Sequence, residues 1–306
     1  IPITSLDTTE GTVSAANLTF TTLNYATFQT VTVTGANDAL LDGNVAYTVQ
    51  VGDPSSSDTS YNNLTNADTP DVSLTNLDDD QPVVQYVAAT SASGETGTNP
   101  VGVRVTFAGG GTLTSAVTVP ITVTGGSATG GGTDYSGPTP GSLTFPVGTA
   151  SGAVLNTTLT ITSDALVEGN ETVNLGFGAI TNGVAGAQSS HVATITDDEA
   201  ATLTWVNATS TVAENAAGVH TMVARLNISN GGQLQSAATI PLSYGGSASS
   251  EDYSSATASI TFSAGSLNGA TRNVTFNPTN DAFSEGNEDV TIAFNGIPSP
   301  ITAGAT

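Results

Sequence analysis

Two short stretches concentrate carboxylates in a chain that otherwise carries little charge. They read DALVEGNE at 164–171 and DAFSEGNE at 281–288. Each copy has an acid at its first, fifth and eighth positions: Asp164, Glu168, Glu171, Asp281, Glu285 and Glu288. Carboxylates at this density repel one another and raise one another's pKa unless a cation lies between them. The chemistry that this spacing indicates is the binding of a hard divalent cation.

A weaker copy, DALLDGN at 38–44, supplies Asp38 and Asp42. It has Val45 where the other copies have their third acid. We therefore expect a less complete metal site in this part of the chain.

The overall charge favours a cation as partner. The chain has 26 Asp and Glu against three Arg and no Lys, which gives a net charge of −23. A surface of this sign repels phosphate backbones, so nucleic-acid binding is not expected. A solvated acidic face or a salt-tolerant surface is the alternative, but its acids would be spread over the surface rather than gathered at one end.

The available ligand types favour Ca²⁺ among the divalent cations. With no Cys and two widely separated His, the chain lacks the ligands that zinc and copper prefer. Mg²⁺ takes fewer protein ligands in a stricter octahedron, whereas Ca²⁺ accepts six to eight oxygens in tolerant geometry. No GxSxG elbow before a helix and no Walker phosphate loop occurs, so no catalytic residue and no enzymatic activity are predicted.

The elements that must hold these acids are β-strands. Segments such as FQTVTVTG, VGVRVTFAG and NTTLTITSD are short, rich in Val, Thr, Ile and Phe, and alternate with period two. No stretch carries a 3.6-residue apolar stripe, and no run of 18 apolar residues predicts a membrane span. The predicted fold class is all-β, as tandem immunoglobulin-like antiparallel sandwiches.

Internal repeats divide the chain into three units. TDYSGPTPGSLTF at 133–145 matches EDYSSATASITF at 251–262, and the acidic runs LDDD at 77–80 and TDDE at 196–199 close two units. We place the units at 1–80, 81–199 and 200–306. The first is expected to lack its first strands and the third its last strand. The gaps predict either an excerpt of a longer array, which we favour, or strands exchanged between copies in a filament.

A topological argument brings the acids together. In a seven-strand antiparallel sandwich, the A–B, C–D and E–F connections and the exit from strand G lie at one end. Eighteen of the 26 acidic residues fall there and are the predicted metal ligands: Asp38, Asp42, Asp78, Asp79, Asp80, Glu95, Asp134, Asp164, Glu168, Glu171, Asp197, Asp198, Glu199, Glu214, Asp252, Asp281, Glu285 and Glu288.

These motifs resemble those of Calx-beta domains, the sandwich modules of sodium/calcium exchangers and of bacterial surface proteins. The matching pattern is Asp-Tyr before LTF, then Asp-x-x-x-Glu-Gly-x-Glu, then a strand ending in TITDD. Residues 81–199 match throughout, 200–306 match except at the end, and 1–80 match loosely. The resemblance implies calcium-binding sandwiches at an extracellular or cell-surface location in a bacterium, with which the absence of Cys is compatible.

The sequence therefore predicts a calcium-binding structural segment of an extracellular repeat protein, a stalk or filament stiffened by Ca²⁺ at the domain ends. Its predicted partners are calcium ions and neighbouring repeats of the same protein or of other copies. An accessory region of a secreted enzyme and a ligand-binding adhesin module are the alternatives. The adhesin module would need an exposed aromatic platform or a concave site.

Overall fold

The computed structural model describes residues 1–109 and 111–304. Within them, strands make up nearly all of the regular structure, and a single helical turn, α1, spans Thr59–Asn62. The all-β prediction is confirmed. Among the described residues no helix has both the length and the apolar character needed to cross a membrane.

The first unit contains two small sheets. Its strands are β1 (Ile3–Ser5), β2 (Gly11–Val13), β3 (Val33–Gly35), β4 (Val45–Val51) and β5 (Val72–Asn76). One sheet has the order β1-β4-β5, and the other pairs β2 with β3. The cluster between them is small, with Ile3, Tyr47 and Val49 buried.

The middle unit is a full sandwich of two five-stranded sheets. Its strands are β6 (Val83–Tyr86), β7 (Thr90–Gly94), β8 (Gly97–Thr106), β9 (Val117–Gly126), β10 (Tyr135–Thr139), β11 (Ser142–Phe145), β12 (Val154–Ile161), β13 (Leu166–Val167), β14 (Glu171–Phe177), β15 (Val184–Ala185) and β16 (Ser190–Thr196). The sheets have the orders β10-β12-β8-β6-β15 and β11-β9-β14-β16-β7. Along β8, Val101, Val103 and Val105 are buried in alternation, which is the period-two signal seen in the sequence.

The third unit repeats this plan with a smaller second sheet. Its strands are β17 (Ala201–Trp205), β18 (His220–Ile228), β19 (Gln233–Leu234), β20 (Ala238–Gly246), β21 (Tyr253–Ser254), β22 (Ser259–Phe262), β23 (Thr271–Pro278), β24 (Val290–Phe294) and β25 (Ile301–Ala303). One sheet, β21-β23-β18-β17-β25, matches the first sheet of the middle unit, and the other is β22-β20-β24. Residues 200–304 contain no counterpart of β16.

The repeated Gly-Gly pair marks a close approach between strands. Gly126 has φ +124°, and a Cβ there would lie 2.1 Å from the carbonyl oxygen of Thr172. Gly246 occupies the same position in the third unit, where a Cβ would lie 2.0 Å from the oxygen of Asp289. Only glycine lets this strand pass so close to the strand that begins after the acidic loop.

The acidic loops reach into the following unit. Leu41, from the first loop, is buried in the hydrophobic cluster of the middle sandwich, and Val167, from the second, is buried in that of the third. The second loop also forms β13, which pairs in parallel with β19 through Leu166↔Gln233 and Val167↔Leu234. The hydrophobic clusters therefore cross the unit boundaries placed after Asp80 and Glu199.

The three arginines all lie inside paired strands. Arg104 is in β8, Arg225 in β18 and Arg272 in β23. Each faces a residue of a neighbouring strand in the ladder. The guanidinium of Arg272 also lies over the ring of Phe262, 4.9 Å from its centroid.

Candidate metal centre

The first acid of each loop shapes the loop. The Oδ1 atom of Asp164 accepts a hydrogen bond from the backbone N–H of Leu166 at 2.8 Å. Asp38 accepts in the same way from Leu40 at 2.9 Å, and Asp281 from Phe283 at 2.7 Å. This is the Asx turn that Asp forms with the backbone two residues on, so these three acids have a structural role whatever else they bind.

A second acid fastens the loop to the exit of the sandwich. In the middle unit the Oδ2 atom of Asp197 accepts from the backbone N–H groups of Glu168 at 2.9 Å and Gly169 at 2.6 Å. Its Oδ1 atom accepts from Glu199 at 2.8 Å. The first unit has the same arrangement, with Asp78 accepting from Gly43. The loop and the exit segment are thereby held at the same end of the sandwich.

The first group of acids in the middle unit is buried at two of its three members. It consists of Glu95, in the turn between β7 and β8, with Asp197 and Glu199; one oxygen of each lies within 4.8 Å of the others. Glu95 is 6% exposed and Glu199 8%, and the Oε2 atom of each is buried with no hydrogen-bond partner. Burial, followed by the charges of Asp197 and Glu199, raises the pKa of Glu95 to about 7.

The second group in the middle unit is formed by Asp134, Glu168 and Glu171, again within 4.8 Å. Asp134 precedes β10 and is held by the backbone N–H of Thr129. Burial, then the charge of Asp134, raises the pKa of Glu168 to about 7. Burial and a hydrogen bond with Asp134 raise that of Glu171 to about 7 as well. Protons thus occupy these carboxyls near neutral pH when no cation is present.

The third unit has one group of this kind, Asp252, Glu285 and Glu288. It is more open than the groups of the middle unit, with both glutamates exposed. Hydrogen bonds from Ser249 lower the pKa of Asp252, whereas partial desolvation and then Asp281 raise the pKa of Glu285. Glu214 lies near this loop but accepts from the backbone N–H of Asp281 at 2.9 Å.

The structure thus brings nine of the eighteen predicted ligands together in three groups. The nine others lie outside these groups: Asp38, Asp42, Asp78, Asp79, Asp80, Asp164, Asp198, Glu214 and Asp281. Five of those nine belong to the first unit, where Asp38, Asp42 and the run at 78–80 line an open cleft of about 240 Å³. In this cleft desolvation and then the charges of Asp78 and Asp79 raise the pKa of Asp80. A metal role for the eighteen residues stays a prediction.

Glu10 is a candidate ligand that the sequence analysis missed. Gly11 pairs with Gly35, three residues before Asp38, as Tyr135 pairs with Ile161, three residues before Asp164. Glu10 therefore occupies the position of Asp134, and it lines the same cleft as the other acids of the first unit.

The missing signal is the tyrosine of the Asp-Tyr motif. A Cβ on Gly11 would lie 2.2 Å from the hydroxyl oxygen of Tyr47, so Tyr47 fills from β4 the space that Tyr135 fills from its own strand in the middle unit. In the first unit the aromatic ring therefore comes from a different strand. The acid Glu10 is followed by Gly11 instead of Tyr, so a search for the Asp-Tyr motif does not find it.

The donor set of the middle unit fits a hard cation. All donors in the two groups are carboxylate oxygens, their spacing of up to 4.8 Å is about twice a Ca–O distance, and three of the oxygens, from Glu95, Glu171 and Glu199, are buried with no partner. Such oxygens are unfavourable without a counter-charge. The groups can therefore hold Ca²⁺ in the space between the carboxylates.

Comparison with known proteins gives one family and several distant structures. The family model described as "Calx-beta domain" matches residues 78–199 and again 196–297. No curated protein matches the chain significantly. The structure of CBD12 from CALX1.2 is 17% identical over 69% of this chain and 79% of that one, with a TM-score of 0.32. The apo-form Calx CBD1 domain is 18% identical over 39% of this chain and 99% of that one, with a TM-score of 0.33.

Proposed function

The chain belongs to the Calx-beta domain family, and we propose that it is a non-enzymatic, calcium-binding structural segment of an extracellular repeat protein. Calcium occupies the acidic groups at the sandwich ends and fixes each sandwich against the next. The whole protein is then a stalk or filament of a bacterial surface structure. The observation that carries this proposal is the pair of acidic groups in the middle unit, whose buried, unpartnered oxygens belong to Glu95, Glu171 and Glu199.

The junction between the middle and third units supports the mechanical part of the proposal. Only Ala200 separates Glu199 from β17, so no Gly/Ser linker intervenes. The amide of Asn230 donates to the carbonyl oxygen of Asp198, and a Cβ on Gly232 would lie 2.5 Å from the Cγ of Glu199. The residues that would hold the metal are thus in contact with the next sandwich. Strands of eight to ten residues at ~3.3 Å each make each sandwich on the order of 30 Å long, so repetition yields a rod.

Calcium titration of the 306-residue chain tests the proposal. A ligand bound only by the native state adds about 2.7 kcal/mol at a hundredfold excess over Kd, which raises the melting temperature. Glu168→Gln and Asp164→Asn should weaken this stabilisation sharply, and Asp38→Asn less, because Val45 stands where the other copies have their third acid.

The matched control is Asp58→Asn, which removes a carboxylate charge at the N-cap of α1 but keeps the Oδ1 acceptor. It should leave the calcium effect unchanged. A melting curve that is identical in chelator and in millimolar calcium would refute the proposal.

Contacts with neighbouring repeats or other copies form part of the same proposal. β14 is paired on both sides, with β9 and β16, whereas its counterpart β24 pairs with β20. The other side of β24 is where a strand from a neighbouring repeat, or from another copy, would add. Intact mass under denaturing conditions separates the two: a mass near 30 kDa from a native filament indicates exchange between copies, and a larger mass indicates covalent repeats.

A ligand-binding adhesin module is the second candidate, because the first unit exposes the apolar platform that such a module needs. Between β2 and β3, Leu23 is 95% exposed, Tyr25 72% and Phe28 100%. Turns order this segment, with the backbone N–H of Tyr25 donating to the carbonyl oxygen of Thr21 at 3.0 Å. Binding to an oligosaccharide panel that is lost in Tyr25→Ser and Phe28→Ser, but not in Glu168→Gln, would favour this candidate.

A further inference from the structure

A side chain of the third unit contacts the second acidic group of the middle unit. The Nε2 atom of Gln235 donates a hydrogen bond to the Oε1 atom of Glu168, across the junction and 67 residues away in sequence. Glu168 lies among the like charges of Asp134, Asp164 and Asp197. A neutral amide donor is the type of group that offsets such repulsion without occupying the metal position.

The ladder between the two units sets this contact. Val167 pairs with Leu234, and both side chains are 2% exposed in the cluster of the third sandwich. The backbone N–H of Gln233 also donates to the carbonyl oxygen of Ala165 at 2.9 Å. Glu168 follows Val167 as Gln235 follows Leu234, so the parallel register places the two side chains beside each other. The contact thus rests on a fixed backbone arrangement.

We propose that Gln235 is a positioning residue of the middle unit's calcium site. Its amide holds the Oε1 atom of Glu168 and thereby orients the carboxylate, which offers one oxygen to the space shared with Asp134 and Glu171. Outer partners that hold ligating carboxylates in this way influence metal affinity strongly. This inference rests on the proposed calcium site and adds that the site is completed by the following sandwich.

Among the residues that the structure describes, the junction between the first and middle units has no such amide-to-carboxylate bond. There Leu41 is buried with Leu113 in the middle cluster, as Val167 is with Leu234 in the third. The residue after Leu113 is Thr114, and the acid after Leu41 is the shorter Asp42. The two junctions therefore share the buried apolar contact. The bond from Gln235 to Glu168 belongs to the junction between the middle and third units.

A donor that comes from the next sandwich links metal affinity to domain docking. If the bond strengthens calcium binding in the middle unit, then by reciprocity calcium strengthens the docking of the third unit by the same factor. Loss of Gln235 should therefore weaken both.

The experiment uses Gln235→Ala and Gln235→Glu in the 306-residue chain, with the backbone amide signals of Glu168 and Gly169 followed by NMR during a calcium titration. Both variants remove the donor, and both should lower calcium affinity at this group about 10- to 100-fold. The amide of Gly286 in the third unit should titrate as in the wild type. Gln188→Ala is the matched control. The side-chain amide of Gln188 donates to the carbonyl oxygen of Ser190, at the start of β16, and not to a carboxylate of either acidic group.

Two outcomes would overturn the inference. Unchanged affinity in Gln235→Ala would show that the amide does not position Glu168. Unchanged or higher affinity in Gln235→Glu would show that an oxygen, not the N–H, matters at this position.

A metal-free measurement separates this inference from the proposed function. The side-chain NH₂ signals of Gln235 should move in Glu168→Ala without calcium, because that variant removes the acceptor. If they do not move, the inference fails whether or not calcium binds. If they move but the wild type binds no calcium, the contact is real, and both the calcium function and the positioning role are lost.

Discussion

The loops at 164–171 and 281–288 have almost the same sequence but lie in different surroundings. The first begins with an Asx turn, buries Val167 in the next sandwich and places Glu168 within reach of Gln235. The second begins with the same turn, but Ser284 replaces the buried valine and Phe283 is 77% exposed. The local sequence therefore determines the Asx turn. Contacts with the next sandwich determine whether the loop is buried.

The two acidic groups of the middle unit differ from the one of the third unit for the same reason. Glu95 becomes buried because β16 brings Asp197 and Glu199 to it, and the turn at 229–232 packs against that exit. Its counterpart Glu214 is exposed. The burial of such a metal site therefore depends on the neighbouring strand and the next sandwich as well as on the ligands themselves.

The largest expected difference between the loops is in packing. Val167→Ala should lower the free energy of unfolding of the third sandwich by about 2 kcal/mol, because it leaves a cavity beside Leu234. Ser284→Ala should change it by less than about 0.5 kcal/mol, since Ser284 is exposed. Denaturant unfolding followed by the fluorescence of Trp205, the single tryptophan, measures both. Equal effects would mean that the two loops do not differ in packing.

The next difference is in calcium affinity. The group of Asp134, Glu168 and Glu171 is fixed by the junction, so it should bind calcium at least about tenfold more tightly than the group of Asp252, Glu285 and Glu288, or about 1.4 kcal/mol. The amide signals of Gly169 and Gly286 give the two midpoints in one titration. Midpoints that coincide would show that burial by the next sandwich has no influence on affinity.

The smallest expected difference between the two loops is in the number of protons that are released when calcium binds. The pKa of Glu95, Glu168 and Glu171 is raised from 4.5 to about 7, so the folded metal-free chain binds protons that the unfolded chain releases. The contribution of these three groups to the stability of the metal-free chain is therefore fully present below about pH 4.5 and is lost as the pH rises from about 4.5 to about 7. Calcium must displace these protons, so its stabilising effect should be greater at pH 8 than at pH 5.5.

Calorimetry at pH 6.5 in buffers of different ionisation enthalpy measures the protons released. Release should decrease in Glu168→Gln and change less in Glu285→Gln, whose group is exposed. A heat of binding that is the same in every buffer would contradict the raised pKa values.

The sequence was sufficient for the fold because the fold depends on local patterns. Period-two alternation and the repeated Asp of the acidic loops are both set by neighbours along the chain. The grouping of Glu95 with the exit acids also followed, because antiparallel topology brings these connections to one end.

What the sequence did not predict depends on contacts between distant residues. Glu10 was hidden because Tyr47 supplies the ring that its own strand lacks. The burial of Val167 was not predicted, because it requires the third sandwich. Gln235 could be linked to Glu168 only through the register of β13 with β19.

The position of the three arginines has a consequence for proteolysis. Trypsin-like proteases cleave after Lys or Arg. They need a chain segment that is extended and not paired in a sheet, as exposed loop tips are. This chain has no Lys, and Arg104, Arg225 and Arg272 all lie within paired strands. Each cut would require a strand to leave its sheet, so such proteases can digest the chain only as fast as its sandwiches open.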